Sequence, residues 1–171
     1  MNIVWYLIYL ILLAALLAGL EIQIEGANGW AKNLPTWRVK GTWLNKISGR
    51  VELTGYHTFL SLFTLAFLHL PFVFFGVWNW WLELRILGSF LIITATEDFL
   101  WFVFNPNFSL ARFFKRDVPW HKFWLGPFPL FYYTNLIIGG LLIYLSFRAW
   151  PGIQASSLVS ASWRTEHSRR I

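Results

Sequence analysis

The sequence predicts an all-α integral membrane protein, with four transmembrane helices in an antiparallel bundle and two long interfacial loops on one side. Three observations predict it. Hydrophobic residues make up 57% of the chain and charged residues 13%, against about 25% charged in typical soluble domains. Four apolar runs reach the length of a bilayer crossing. Most of the charged residues collect in two long connections and a terminal tail. A soluble core of 171 residues could not hide so much apolar surface, so lipid is its natural solvent.

The first run, 3–20, carries no charge. At about 1.5 Å per residue it covers about 27 Å, close to a bilayer core. Nothing basic precedes it and Glu21 follows it directly, which is unlike a cleaved secretory signal. It is expected to be a retained first span. Residues 21–55 form a polar segment with Lys32, Arg38, Lys40, Lys46 and Arg50. Gly26, Gly29, Pro35, Gly41 and Gly49 punctuate it and argue against one long helix. Trp30, Trp37 and Trp43 suit the headgroup level.

The second span, 56–78, opens with His57 and carries His69 followed by Pro71. A very short connection around Asn79 and Trp80 leads to the third span, 81–104. Glu83 and Arg85 stand at its start, where snorkelling makes charge cheap. Residues 105–128 form the second long connection, with Arg112, Lys115, Arg116, Asp117, Lys122 and a Trp120–His121–Trp124 cluster. The fourth span, 129–147, contains the Gly139–Gly140 pair, which suits a close helix approach. Residues 1–150 make the membrane domain, and the Ser-rich, basic tail 151–171 is expected outside the bilayer.

Four spans put both long connections on one side. Nine of the fourteen Lys and Arg residues fall there, so the positive-inside rule places the loops in the cytoplasm of a cytoplasmic-type membrane. The net charge of +6 then sets topology and meets anionic headgroups, and no nucleic-acid partner is expected. The chain has no Cys, which excludes disulfides, thiolate metal sites and cysteine nucleophiles.

The polar signal lies in the third span. Thr94, Glu97, Asp98 and Trp101 follow the i, i+3, i+4, i+7 spacing and share one helix face, with Asn105 a turn beyond. Intramembrane acids normally face protein or water and mark function. His57, His121, the ends of the first span at Glu21 and Glu25, and Tyr132, Tyr133 and Asn135 all map to the same half of the bundle. His69 lies deeper, roughly 18 Å along the helix from His57.

Carboxylate with imidazole suits a divalent zinc, iron or manganese ion. Glu97 and Asp98 are therefore the candidate catalytic and metal-binding residues, with His57, His121 and His69 as further candidate ligands. No His-x-x-x-His, Glu-x-x-His or His-Glu-x-x-His spacing occurs, so the ligands would come from separate elements. Such a centre would activate water or oxygen for chemistry on a lipid-like substrate, with the Trp-rich loops as a lid. Two adjacent acids also suit acid–base work.

Each residue has a structural alternative. Glu97 and Asp98 could form buried ion pairs with Arg38, Lys40, Arg112 or Lys122. His57 could bond a loop carbonyl, His69 could bond across helices, and His121 could pack among Trp rings. Glu21 and Glu25 could simply mark a helix end. The competing function is then an accessory subunit of a larger, energy-transducing membrane complex, with other membrane subunits as partners. A proton-relay transporter is disfavoured, because little polar residue continues past His69. Haem would need His57 and His121 at one depth, and the neighbouring acids fit it poorly.

Overall fold

The computed structural model describes residues 2–76 and 78–149. The tail 151–171 lies outside the described residues. In chain order the elements are α1 (Ile3–Glu25), β1 (Arg38–Lys40), α2 (Trp43–Ser48), β2 (Glu52–Thr54), α3 (Gly55–Leu68), α4 (Leu70–Phe75), α5 (Trp80–Phe104), α6 (Leu110–Phe114), β3 (Trp124–Leu125), β4 (Phe128–Pro129) and α7 (Leu130–Ala149). Four stretches are long and apolar enough to cross a membrane: Ile3–Glu25, Gly55–Phe75, Trp80–Phe104 and Leu130–Ala149. Their outer faces carry large exposed hydrophobics such as Phe59, Phe63, Val73 and Phe74, a surface suited to lipid.

Strands were not expected from the sequence, yet two short antiparallel ladders occur. One pairs Arg38 with Thr54 and Lys40 with Glu52. The other pairs Trp124 with Pro129. Each satisfies backbone groups in a loop too interrupted by Gly and Pro to stay helical.

The helix α5 is central. It packs most extensively on α7 and α1, and less on α3. Arg85 Nε donates to Ser146 Oγ at 3.1 Å, and Asn135 Nδ2 donates to Thr94 Oγ1 at 3.3 Å. Rising numbers on α5 thus meet falling numbers on α7, so these two helices run in opposite directions. Tyr6 meets Ser89 at 2.6 Å, while Asn105 Nδ2 donates to the Gly26 carbonyl at 2.9 Å, so α1 and α5 run the same way.

At Gly139 the α7 backbone comes close to that of α5. A Cβ there would meet the Gly88 carbonyl at 2.8 Å, and one on Gly88 would meet the Gly139 carbonyl at 2.7 Å. Gly140, its neighbour in the expected pair, faces open space. The close approach therefore needs Gly139 with Gly88.

Two findings at helix ends position the polar residues. First, α1 continues through Glu25, past the apolar run that ends at Leu20. Its buried face reads Ala14, Ala18, Glu21, Ile22, Glu25, so Glu21 and Glu25 fall one turn apart on the stripe that meets α5. Second, the second span breaks at His69, where α3 ends, and α4 restarts with Pro71 in its first turn. Pro lacks the N–H that would continue the ladder.

The two long connections are joined to each other. Lys122 N–H donates to the Gly49 carbonyl at 2.9 Å, and Arg50 bridges His121. Trp120, Phe108 and Phe113 are buried against Trp101 and Phe102 of α5. The segment 105–128, expected as part of a lid, packs its aromatic residues into a core shared with α5.

Candidate functional site

The residues Glu21 and Glu25 of α1 and His57 of α3 offer ligand atoms that all lie within 4.8 Å of one another, a group that could hold a metal ion. His57 Nε2 is 3.1 Å from Glu21 Oε1 and 3.3 Å from Glu25 Oε1. Ligands held at about 2.0–2.1 Å around one tetrahedral ion sit roughly 3.3 Å apart, so the spacing suits a shared cation. Both glutamate side chains are buried, at 6% and 3% exposure, while His57 keeps 20%.

Each of these side chains is held by a partner. Thr54 caps α3, and its Oγ1 lies 2.6 Å from His57 Nδ1, which aims Nε2 at the carboxylates. Metal-bound His commonly has such a partner on its other nitrogen. Trp30 stacks on the imidazole with ring centroids 4.1 Å apart. Ala31 N–H donates to Glu25 Oε1.

That last bond depends on an unusual turn. Gly26 and Gly29 have φ of 65° and 61°, and Trp30 and Ala31 follow at 50° each. Left-handed backbone is natural for glycine but costs about 1–3 kcal/mol at other residues when the surroundings enforce it. Here the Ala31 carbonyl accepts from Arg38, and Asn105 holds the Gly26 carbonyl.

Glu97 of α5 reaches the Glu21 carboxyl side chain to side chain. Glu97 Oε1 is buried with no hydrogen-bond partner, and the buried Glu21 Oε1 has the His57 imidazole 3.1 Å away. Two carboxyls in contact repel unless a proton or a cation lies between them. Glu97 therefore adjoins the Glu21–Glu25–His57 group.

Asp98, the next residue, faces another neighbourhood. Arg50 Nη2 donates to its Oδ1 at 2.8 Å, and Tyr132 Oη donates to its Oδ2 at 2.5 Å. His121 Nε2 stands 3.1 Å from Oδ2, and Arg50 Nη1 lies 3.0 Å from His121 Nδ1. Arg50 Nη1 is also 3.3 Å from Nε2, so the guanidinium faces both ring nitrogens, and the Nε2–Asp98 contact has Nε2–H as donor, because a carboxylate only accepts. Burial pushes the imidazole below its ordinary value of 6.5, against the Asp98 carboxylate pulling it up, and Arg50 adds to the lowering.

The ion-pair partner of Asp98 is thus Arg50, which was not among the four bases expected from the sequence. Arg50 is also stacked over Trp30 and Phe131, at 4.5 and 4.3 Å from the ring centroids. Trp30 consequently stands between the His57 group and the Asp98 network.

His69 lies at the other end of the second span. Its Nδ1 is 2.6 Å from the Leu65 carbonyl of its own helix, and its Nε2 is 3.3 Å from Glu83. The five candidate residues thus fall into three places: His57 and Glu97 at the glutamate group, Asp98 and His121 with Arg50, and His69 with Glu83. Sequence reasoning placed Trp30 at the headgroup level and Arg50 among the loop bases, gave neither a part in the site, and gave Thr54 no role. The one available signal was the Glu21-x-x-x-Glu25 spacing, which is a one-turn pair if the helix continues past Leu20.

No protein family, curated protein or solved structure matches this chain.

Proposed function

We propose that the chain is a multi-pass membrane protein with a metal centre held by Glu21, Glu25 and His57, with Glu97 as its supporting carboxylate. The convergence of the three ligand atoms within 4.8 Å carries this reading. The charge balance supports it. Glu21, Glu25 and Glu97 meet at one place, and the Arg50 guanidinium is taken up by Asp98. One oxygen- and nitrogen-ligated divalent cation, zinc, iron or manganese, compensates such a group.

Glu21, Glu25 and His57 would hold the ion, which would supply Lewis-acid activation of water or oxygen when bound. His57 would be oriented by Thr54, Glu25 by the Ala31 N–H, and Glu97 would take or return a proton beside the group. The substrate is a lipid-like molecule reaching the loop end of an antiparallel four-helix bundle, with the loops on the cytoplasmic side.

The test is elemental analysis of the protein purified in mild detergent after growth with zinc, iron and manganese. About one ion per chain is expected, with loss of the ion in Glu21→Gln/Glu25→Gln and in His57→Ala. Glu97→Gln is expected to weaken retention by about 10–100-fold, as an outer partner does. A wild-type chain that holds no ion under all three supplements would sink the reading.

A second reading is an accessory subunit of a larger membrane complex, with the acids in structural pairs. The 2.8 Å Arg50–Asp98 bridge favours it for Asp98. It predicts co-purification with other membrane subunits and no metal.

A further inference from the structure

A cavity of about 300 Å³ opens beside the proposed metal centre, at the top of the Trp30 turn. Four cationic side chains line it, Lys32, Arg38, Lys40 and Arg112, against the single carboxylate of Glu52. Three of them are in ion pairs, two with Glu52 and Arg112 with Asp117. Arg38 binds Glu52 at 2.5 Å and the Ala31 carbonyl, and Lys40 sits 3.7 Å from Glu52. The Lys32 side chain is exposed and has no ion-pair or hydrogen-bond partner among the described residues. Arg112 gives its Nε to Asp117 at 2.8 Å, and its guanidinium lies over Phe108 at 4.2 Å.

Trp30, Phe108 and Trp120 add aromatic surface, beside Ala27, Asn28, Gly29, Val51 and Pro119. Several cations next to aromatic surface suit a ligand that is anionic at one end and apolar next to it. Phosphate oxygens accept from several Lys and Arg donors at once, and Arg presents a planar fork to them. Ala31, between the lining residues Trp30 and Lys32, links the cavity wall to the metal centre. Ala31 donates its N–H to Glu25 on one side and accepts Arg38 at its carbonyl on the other.

We infer that this cavity receives the phosphate group of the molecule presented to the Glu21–Glu25–His57 centre, with Lys32 and Arg112 as the binding cations. The phosphate comes from a lipid headgroup or from a free phosphate compound. As a statement about substrate, the inference rests on the metal-centre reading. As a statement about binding, it is tested separately.

The full chain in neutral detergent is titrated calorimetrically with dioctanoyl phosphatidic acid, dioctanoyl phosphatidylcholine and inorganic phosphate. Phosphatidic acid is expected to bind, and Lys32→Gln/Arg112→Gln to weaken it about tenfold or more, as loss of charge-assisted bonds does. Both positions are exposed, and an unchanged circular dichroism spectrum checks the variant's fold. Binding of phosphatidic acid without inorganic phosphate identifies the headgroup, and equal binding of both identifies free phosphate. Phosphatidylcholine binding as tightly as phosphatidic acid, or a double variant with unchanged affinity, overturns the inference.

The Glu21→Gln variant separates the two readings. It is expected to lose the metal and keep phosphatidic acid binding. Phosphatidic acid binding by a wild-type chain without metal leaves this cavity assigned and removes the metal centre. Metal without phosphatidic acid binding does the reverse.

Discussion

Asp98 and Glu97 are neighbours in the chain with opposite electrostatic situations. Asp98 has a guanidinium, a phenol and an imidazole around it, and its side chain is 12% exposed. Removing its charge leaves Arg50, itself 11% exposed, without a counter-ion. Asp98→Asn is expected to cost about 3–5 kcal/mol, as breaking a buried pair does. Thermal unfolding in detergent measures it, and a drop smaller than that of an ordinary surface change would remove Asp98 from the structural frame. His121 gives a pH dependence. Its folded-state pKa lies below the ordinary value, so between the two values the unfolded chain binds more protons than the folded one. Stability therefore rises with pH and is lost as pH falls below about 6.5. A melting series from pH 7.5 to pH 5 should show the decline, and His121→Gln should flatten it.

At the scale of elements, the helix α1 decides whether a site exists. Had it ended with its apolar run, Glu21 and Glu25 would be unordered headgroup-level acids. Because the helix continues, the pair falls on the stripe already buried through Ala14 and Ala18. The Trp30 turn then closes over it. The contact between α5 and α7 depends on Gly88 and Gly139, where any Cβ meets the partner's carbonyl below 3.0 Å. Gly88→Ala and Gly139→Ala are each expected to cost about 1–3 kcal/mol through overpacking. Gly140→Ala, which faces open space, should be close to neutral. A melting comparison of the three variants checks the helix contact directly, and equal effects at 139 and 140 would refute it.

At the scale of the whole molecule, the proposed topology puts the two long connections on one side and the Asn79 turn on the other. The chain is naturally free of cysteine, so single-cysteine variants report orientation cleanly. Asn33→Cys should react with a membrane-impermeant maleimide only from the cytoplasmic side. Trp80→Cys should react only from the opposite side. Labelling of both from one side would refute the four-span arrangement. The backbone bonds between the connections, Lys122 to Gly49 and Val51 to Trp120, agree with their lying together.

The sequence by itself determined the four apolar helices, the polar stripe on the third of them, and the gathering of acids and imidazoles toward one end. Those features follow from length, hydropathy and helical period, which are local properties of a chain in lipid. Only the tertiary structure decided which partner each polar group meets. Glu97 and Asp98 are separated by about 100° around a helix of 3.6 residues per turn, so one turns to α1 and the other to Arg50 and α7. His57 joins Glu21 and Glu25 through the packing of α1 and α3, and His69 bonds back into its own helix. A period states which face is polar. The neighbour that face meets, whether a second carboxyl or a guanidinium, is set by packing between distant segments. That difference separates a candidate metal centre from a buried ion pair.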